Sequence, residues 1–252
     1  MCLILFAYKQ HPKYRLIVAS NRDEFYDRPT ISAFQEDNYP FIVCGRDLQA
    51  GGTWTGVNKN GKFVAITNYR ELPLVLLGKQ SRGEIADNFL KSNDSPKVFL
   101  EELHKKNERY NGFNVLLGDT IQLFHYSNRE RIINQLQPNV FGLSNAFLDT
   151  PWPKVVKGKE YLRKAIKKDE IDSEEVFSFL QDKEISPDCD LPHTGISLEH
   201  ERMLSPLFIE SHNYGTRTST IITFDYEGNV VFTERSYIPE YITKRFTFHI
   251  EH

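Results

Sequence analysis

The sequence predicts an α+β protein of mainly antiparallel sheets, and three observations carry that expectation. Strand-like segments come in runs, helix-like segments follow in pairs, and strands then return, without the strict alternation of a doubly wound fold. The second strand-like segment is apolar on both faces, with Leu16 and Val18 on one side and Ile17 and Ala19 on the other. Strands of that kind are covered from both sides in layered folds. No Gly/Ser/Pro linker, internal repeat or low-complexity tract divides the 252 residues, so a single domain over 1–252 is expected.

Taken in order, residues 2–8 form an apolar run, Gln10-His11-Pro12-Lys13 a turn, and Arg15 to Ser20 a returning strand. A polar, charged loop is expected from Asn21 to Pro29. Short strands follow at 40–44, 53–57 and 62–68, the last two joined by Asn58-Lys59-Asn60-Gly61. Ser81-Arg82-Gly83-Glu84 has the form of a capping box and predicts a helix start. Ser95-Pro96 predicts another, with serine as N-cap and proline at the first helical position. Strands return at 113–118, 120–126 and 140–143. Helices are expected over 153–168 and 173–182, the second capped by Ser173. Strands near 218–225 and 229–236, linked by Asp225-Tyr226-Glu227-Gly228, close the pattern.

Composition excludes several function classes. Hydrophobic residues at 40% and charged residues at 26% fit an ordinary globular chain. A net charge of −3 with no long basic run argues against nucleic acid, and Arg163-Lys164-Ala165-Ile166-Lys167-Lys168 reads as a solvated helix face. Aromatics at 13% point to a generous core or a ligand cavity. The apolar start Leu3-Ile4-Leu5-Phe6-Ala7 is too short for a membrane span and lacks the flanks of a signal peptide. Three widely spaced cysteines do not make a disulfide framework, so a reducing, cytoplasmic setting is expected. The eight histidines form neither an HxH nor an HExxH spacing, and no P-loop, GxGxxG or GxSxG is present. Neither a metal nor a cofactor is expected.

Cys2 is the candidate nucleophile. Its small side chain permits removal of Met1, which would place a thiol and a free α-amine on one residue. An α-amine titrates near ~7.7–8 and a thiol near ~8.5, so the amine is matched to take the thiol's proton. Cys44 ends an apolar strand and reads as packing. Asp188 and Asp190 flank Cys189 and make it a poor nucleophile.

Longer motifs then carry a resemblance. Asn21-Arg22-Asp23-Glu24 spells NRDE after an N-terminal Met-Cys and a first hairpin, and Gly51-Gly52-Thr53-Trp54-Thr55-Gly56-Val57-Asn58 follows. Gly142-Leu143-Ser144-Asn145-Ala146-Phe147, Asp149-Thr150-Pro151-Trp152-Pro153-Lys154 and Tyr214-Gly215-Thr216-Arg217-Thr218 complete the set. On these the chain is identified as a member of the NRDE family, also called the transport-and-Golgi-organisation family. Its eukaryotic members are associated with Golgi organisation and with haem or lipid handling. The family is similar to N-terminal nucleophile hydrolases, which implies a four-layer αββα sandwich of two antiparallel sheets between helices.

A second resemblance, to the cysteine-type bile-salt hydrolase and penicillin acylase branch of those hydrolases, implies residue roles. Cys2 matches the processed nucleophile and Asp23 the aspartate that binds its amine. Gly56 to Gly61 followed by Ile66-Thr67-Asn68-Tyr69 resembles the segment of the first oxyanion-hole residue, placing Asn68 there. Leu143-Ser144-Asn145 resembles the segment of the second, Asn145, and Arg217 matches an arginine near the nucleophile. Arg22, Trp54 and Ser20 are the substrate-binding candidates. One departure stands out: that branch has an arginine where this chain has Ser20. Arg22 could substitute, although Arg22 and Asp23 point to opposite faces of a regular strand. Two readings follow: a hydrolase of a linear amide or related acyl bond, or a non-catalytic carrier or trafficking protein on the same fold that handles a lipid-like or haem-like small molecule.

Overall fold

Alternation in the first strand sets the architecture. In β1 (Cys2–Tyr8), Ile4 and Phe6 face one way, Leu3 and Leu5 the other, and all four are buried. Such a strand demands a cover on each face. The computed structural model, which describes residues 2–36, 41–72 and 77–251, supplies both.

β1 pairs antiparallel with β2 (Tyr14–Phe25), the hairpin expected from the sequence. Next come β3 (Thr30–Glu36), β4 (Ile42–Asp47), β5 (Thr55–Asn58) and β6 (Phe63–Asn68). Two helices follow, α1 (Gly83–Lys91) and α2 (Pro96–Lys105). Then come β7 (Phe113–Gly118), β8 (Leu123–Ser127), β9 (Ile133–Gln135) and β10 (Asn139–Leu143). A second helix group holds α3 (Pro153–Ala165), α4 (Ser173–Leu180) and α5 (Leu198–Met203). β11 (Tyr214–Asp225), β12 (Asn229–Ser236) and β13 (Ile242–His249) complete the described elements.

The strands form two antiparallel sheets, β10-β1-β2-β11-β12-β13 and β3-β4-β5-β6-β7-β8-β9. Their inner faces meet in a core that includes Phe6, Val18, Val57, Leu116, Ile222 and Phe232. Leu5, Ala19, Val155, Leu162 and Phe177 join the first sheet to α3 and α4. Ile66, Phe89, Leu100 and Tyr126 join the second sheet to α1 and α2. The result is the α+β four-layer αββα sandwich. Both sheets lie in its middle, which is why their strands are apolar on both faces.

Several local expectations change. The expected loop at 21–29 is instead strand through Phe25, paired to β11 by Asn21↔Ser219, Arg22↔Thr218 and Asp23↔Thr216. The polar residues stay in the ladder because each is satisfied there. Asn21 Nδ2 donates to the Leu180 and Leu207 carbonyls at 2.8 Å each, and Asn21 Oδ1 accepts from Ser219 Oγ at 2.6 Å. The capping box at Ser81 does not form: α1 starts at Gly83, and Arg82 precedes it with helical backbone angles and no side-chain cap. Asp172 rather than Ser173 caps α4, accepting from Glu174 N at 2.9 Å. Ser95 caps α2 as expected, accepting from Val98 N. In the strand expected at 40–44, residue 40 lies outside the described residues, and β4 begins at Ile42.

One buried acid ties the layers together and sets a pH dependence. Glu234 of β12 is 1% exposed. It accepts from Ala33 N of β3 at 2.5 Å and from Thr220 Oγ1 at 3.4 Å, so it bridges the two sheets. Burial pushes its carboxyl up from 4.5 to about 7. The native state then binds the proton more tightly than the unfolded chain, so this contribution is present below pH 4.5 and lost as pH rises through 7. Chemical denaturation from pH 4.5 to 8 is expected to show a decline on the order of 3 kcal/mol from this group. Glu234→Gln should remove that component, and an unchanged pH slope in the variant would refute the assignment.

Candidate active site

β1 and β2 run side by side to one end of the sandwich, where Cys2 pairs with Arg22. A cavity of about 280 Å³ opens there. Cys2, Arg22, Asp23, Trp54 and Asn68 all line it. These come from β1, β2, the segment before β5 and the end of β6, so both sheets contribute. Arg22 and Asp23 reach the same cavity although β2 stays extended. The irregularity lies on the partner strand: β11 shifts register between Thr216 and Thr218, leaving Arg217 as a bulge opposite them. A bulge adds local twist, and twist turns successive side chains toward one space.

Each candidate has a defined neighbourhood. The Cys2 thiol is pushed up by burial and further by Asp23, while Arg22 pulls it down. A resting thiol is therefore favoured over a stored thiolate. Asp23 Oδ1 accepts from Thr216 Oγ1 at 2.7 Å. Burial raises its carboxyl, and the charge of Lys154 is the strongest influence holding it down. The Arg22 guanidinium lies 4.3 Å from the Trp54 ring centre, donates to Thr30 Oγ1 at 3.5 Å and stands 4.0 Å from Asp47. Gly45 makes room for this stack, because a Cβ there would overlap the Trp54 ring.

Asn68 lines the cavity and is fixed from behind. Asn145 Nδ2 donates to the Asn68 carbonyl at 2.8 Å, and Ser144 Oγ donates to Cys2 O at 3.2 Å. Asn145 is fully buried and spends one amide hydrogen on that contact; an amide nitrogen carries two. Among the described residues, Ser20, Asn145 and Arg217 stand outside the cavity lining. Ser20 Oγ donates to the Thr220 carbonyl at 3.4 Å. Arg217 donates to the carbonyls of Phe25 (3.0 Å) and Arg28, closing the chain that follows β2.

The sequence reading passed over other parts of the site. Glu24, Arg28, Asp47, Arg82 and Asn111 also line the cavity. Arg28 makes a fork with Asp47 Oδ2, both contacts at 2.8 Å, whereas Arg82 donates to the Gly112 carbonyl at 3.1 Å. Glu24 stands inside the NRDE motif, and its charge beside Arg22 and Asp23 was the available signal. Asp47 and Arg82 carry no such local signal, since only the tertiary fold brings the β4 end and the segment before α1 to the cavity. Cys44 is fully buried in the outer core, its thiol pushed up to about 11 by burial, and Cys189 is exposed. Among the described residues, no helix is long and apolar enough to cross a membrane.

The chain has relatives among known proteins. The chain is 36% identical over 259 residues to the Transport and Golgi organization 2 homolog of Mus musculus, covering 94% of this chain and 93% of that one. It is 34% identical over 259 residues to the homolog of Homo sapiens, with the same coverage. Among solved structures it is similar to a mutant conjugated bile acid hydrolase from Clostridium perfringens, with a TM-score of 0.55 over 99% of this chain and 92% of that one. At 12% identity that likeness is one of fold alone, the sandwich of two antiparallel sheets between helices. The family described as Transport and Golgi organisation 2 matches residues 1–239, and the chain belongs to it.

Proposed function

We propose that the protein is a cysteine N-terminal nucleophile hydrolase that cleaves a linear amide or related acyl bond, with Cys2 attacking after Met1 is removed. The observation that carries this reading is the convergence of Cys2, Asp23 and Asn68 on one cavity at the end of paired β1 and β2. The fold neighbour's name as a hydrolase of conjugated bile acids supports the same class.

In this mechanism the Cys2 α-amine accepts the thiol proton as sulfur attacks the acyl carbon. The carbon–sulfur bond forms and the carbonyl electrons move onto oxygen. Asn68 donates to that oxyanion, and a well-placed donor contributes about 10²–10³ in rate; Asn145 acts from behind the wall by holding the Asn68 main chain. The amine returns the proton to the leaving nitrogen or oxygen, and the thioester left on Cys2 is hydrolysed by water. Asp23 holds the amine in place. Because the thiol rests protonated, its proton moves during attack and no standing thiolate is required.

The carrier reading draws support from Arg217 and Asn145, which lie outside the cavity lining. The lining weighs against it for a hydrocarbon ligand: Arg22, Arg28, Arg82, Glu24 and Asp47 would lose hydration without an apolar gain. The test is incubation of the processed protein with a library of N-acyl amides and acyl esters, read by product release and intact mass. Turnover with a transient acyl adduct on Cys2 is expected. Neither turnover nor adduct would sink the hydrolase, and saturable uptake of a lipid or haem without turnover would favour the carrier.

A further inference from the structure

Among the described residues, Arg82 is the one cavity arginine that no carboxylate of the chain pairs with. Three arginines line the cavity beside Cys2, namely Arg22, Arg28 and Arg82. Arg22 stacks on Trp54 and stands 4.0 Å from Asp47. Arg28 forks onto Asp47 and lies 3.7 Å from Glu24 Oε2. The other oxygen of Glu24 accepts from Phe25 N at 2.9 Å, and Asp23 Oδ1 accepts from Thr216. The Arg82 side chain donates to the Gly112 carbonyl at 3.1 Å. A guanidinium carries five N–H groups in a flat fork that fits a carboxylate with two parallel bonds. Most of that fork is uncommitted in Arg82. Burial costs the guanidinium hydration, and Glu24, beyond pairing distance, is the main charge that offsets it.

The backbone fixes Arg82 in the wall from both sides. Gln80 N donates to the Arg109 carbonyl at 2.9 Å, and Thr53 N donates to the Gly83 carbonyl at 3.2 Å. Glycine at position 52 permits that approach, because a Cβ there would overlap the Gly83 main chain.

We propose that Arg82 is a substrate-binding residue that takes a carboxylate of the substrate, so that the preferred substrates are acyl compounds with a free carboxylate close to the bond that Cys2 attacks. This deepens the reading of Cys2 as nucleophile and rests on it. The closeness follows from the cavity, whose volume of about 280 Å³ is at the small end of ligand sites, so one small molecule at Cys2 also reaches Arg82. A neutral analogue would leave the guanidinium desolvated and unpaired, which is a strong basis for discrimination.

The experiment compares alkylation of Cys2 by iodoacetate, which carries a carboxylate, with alkylation by iodoacetamide, its neutral analogue of similar size. Peptide mass follows Cys2 apart from Cys44 and Cys189, and intact mass verifies the same N-terminus in each protein. Both reagents consume the same thiolate, so the ratio of their rates cancels any change in thiol ionisation. Arg82→Gln is expected to lower the iodoacetate-to-iodoacetamide ratio at Cys2 by about tenfold, as removal of a cation close to an anion does. Arg82→Lys keeps the charge without the fork and should fall between that variant and wild type. An unchanged ratio in Arg82→Gln would overturn the proposal. So would a Cys2 that neither reagent modifies, because no small molecule then reaches both groups. Arg82→Met repeats the measurement should Arg82→Gln not fold, and failure of both to fold would assign the residue to structure and end the proposal. For any library substrate that is hydrolysed, the preference for a free carboxylate over its methyl ester should fall in Arg82→Gln, and an undiminished preference would refute the assignment. A lowered alkylation ratio in a protein that hydrolyses nothing would keep the carboxylate site at Arg82 while removing the hydrolase reading.

Discussion

Cys2→Ala is expected to lower kcat by at least about 10³-fold, because no neighbouring group can replace the attacking sulfur. The fold should survive the change. Cys2 is the first residue of β1 and only partly buried, and its main-chain contact with Ser144 Oγ at 3.2 Å does not involve the thiol. Loss of one sulfur at a cavity wall leaves less of a void than the same loss in the core, and the Tm should move by only a few degrees. The measurement is steady-state turnover on the best library substrate beside a thermal melt. Activity within tenfold of wild type in a folded variant would remove Cys2 from the mechanism. Equal uptake of a bound ligand by both proteins would point instead to a cavity that binds without reacting.

The largest stability effect is expected at the Arg70–Glu201 pair. Arg70 Nη1 and Glu201 Oε2 are 2.8 Å apart, with side chains 2% and 4% exposed. Thr194 donates to the other Glu201 oxygen through its backbone N (3.1 Å) and its hydroxyl (2.5 Å), and the guanidinium lies 4.5 Å from the Trp152 ring centre. Glu201→Ala removes the carboxylate that faces this buried guanidinium, at a cost of about 3–5 kcal/mol. A double replacement, Arg70→Met with Glu201→Met, removes both charges and should recover much of the loss. Urea unfolding of the three proteins decides it, and a Glu201→Ala loss under about 1 kcal/mol would contradict the argument. The pair also matters to the site. Arg70 N donates to the Asn145 carbonyl at 2.7 Å, and Asn145 in turn holds Asn68, so loosening the pair should weaken catalysis as well as stability.

Much of the fold was legible because it depends on pattern. The β1–β2 hairpin, the paired helices after β6 and after β10, and the β11–β12 hairpin all follow local periodicity and turn chemistry. Apart from β10, which falls in the strand expected at 140–143, the edge strands were not legible. β13 alternates between half-buried and exposed residues, and β3 lies at the other sheet's margin, so neither carries the apolar run that marks a central strand. The Asn21–Phe25 segment misled for the opposite reason. Its polar composition is that of a loop, yet it lies in a central strand whose side chains find partners from β11, α4 and the α5 region.

By itself the sequence determined the α+β class, the layered sheets and the nomination of Cys2, Asp23 and Asn68 for one site. The class, the layers and Cys2 follow from properties of single residues and short windows: apolar period, turn chemistry, and a thiol behind the first methionine; Asp23 and Asn68 came from the family resemblance. Only the tertiary structure decided which side chains share the cavity. It brought in Asp47 and Arg82, set Arg217 and Asn145 behind the wall, and buried Lys154 where its charge acts on Asp23. The reason is physical. Burial and the field of charges from other elements govern how a thiol, a carboxyl or an ammonium behaves, and both come from residues brought together by packing that lie far apart along the chain.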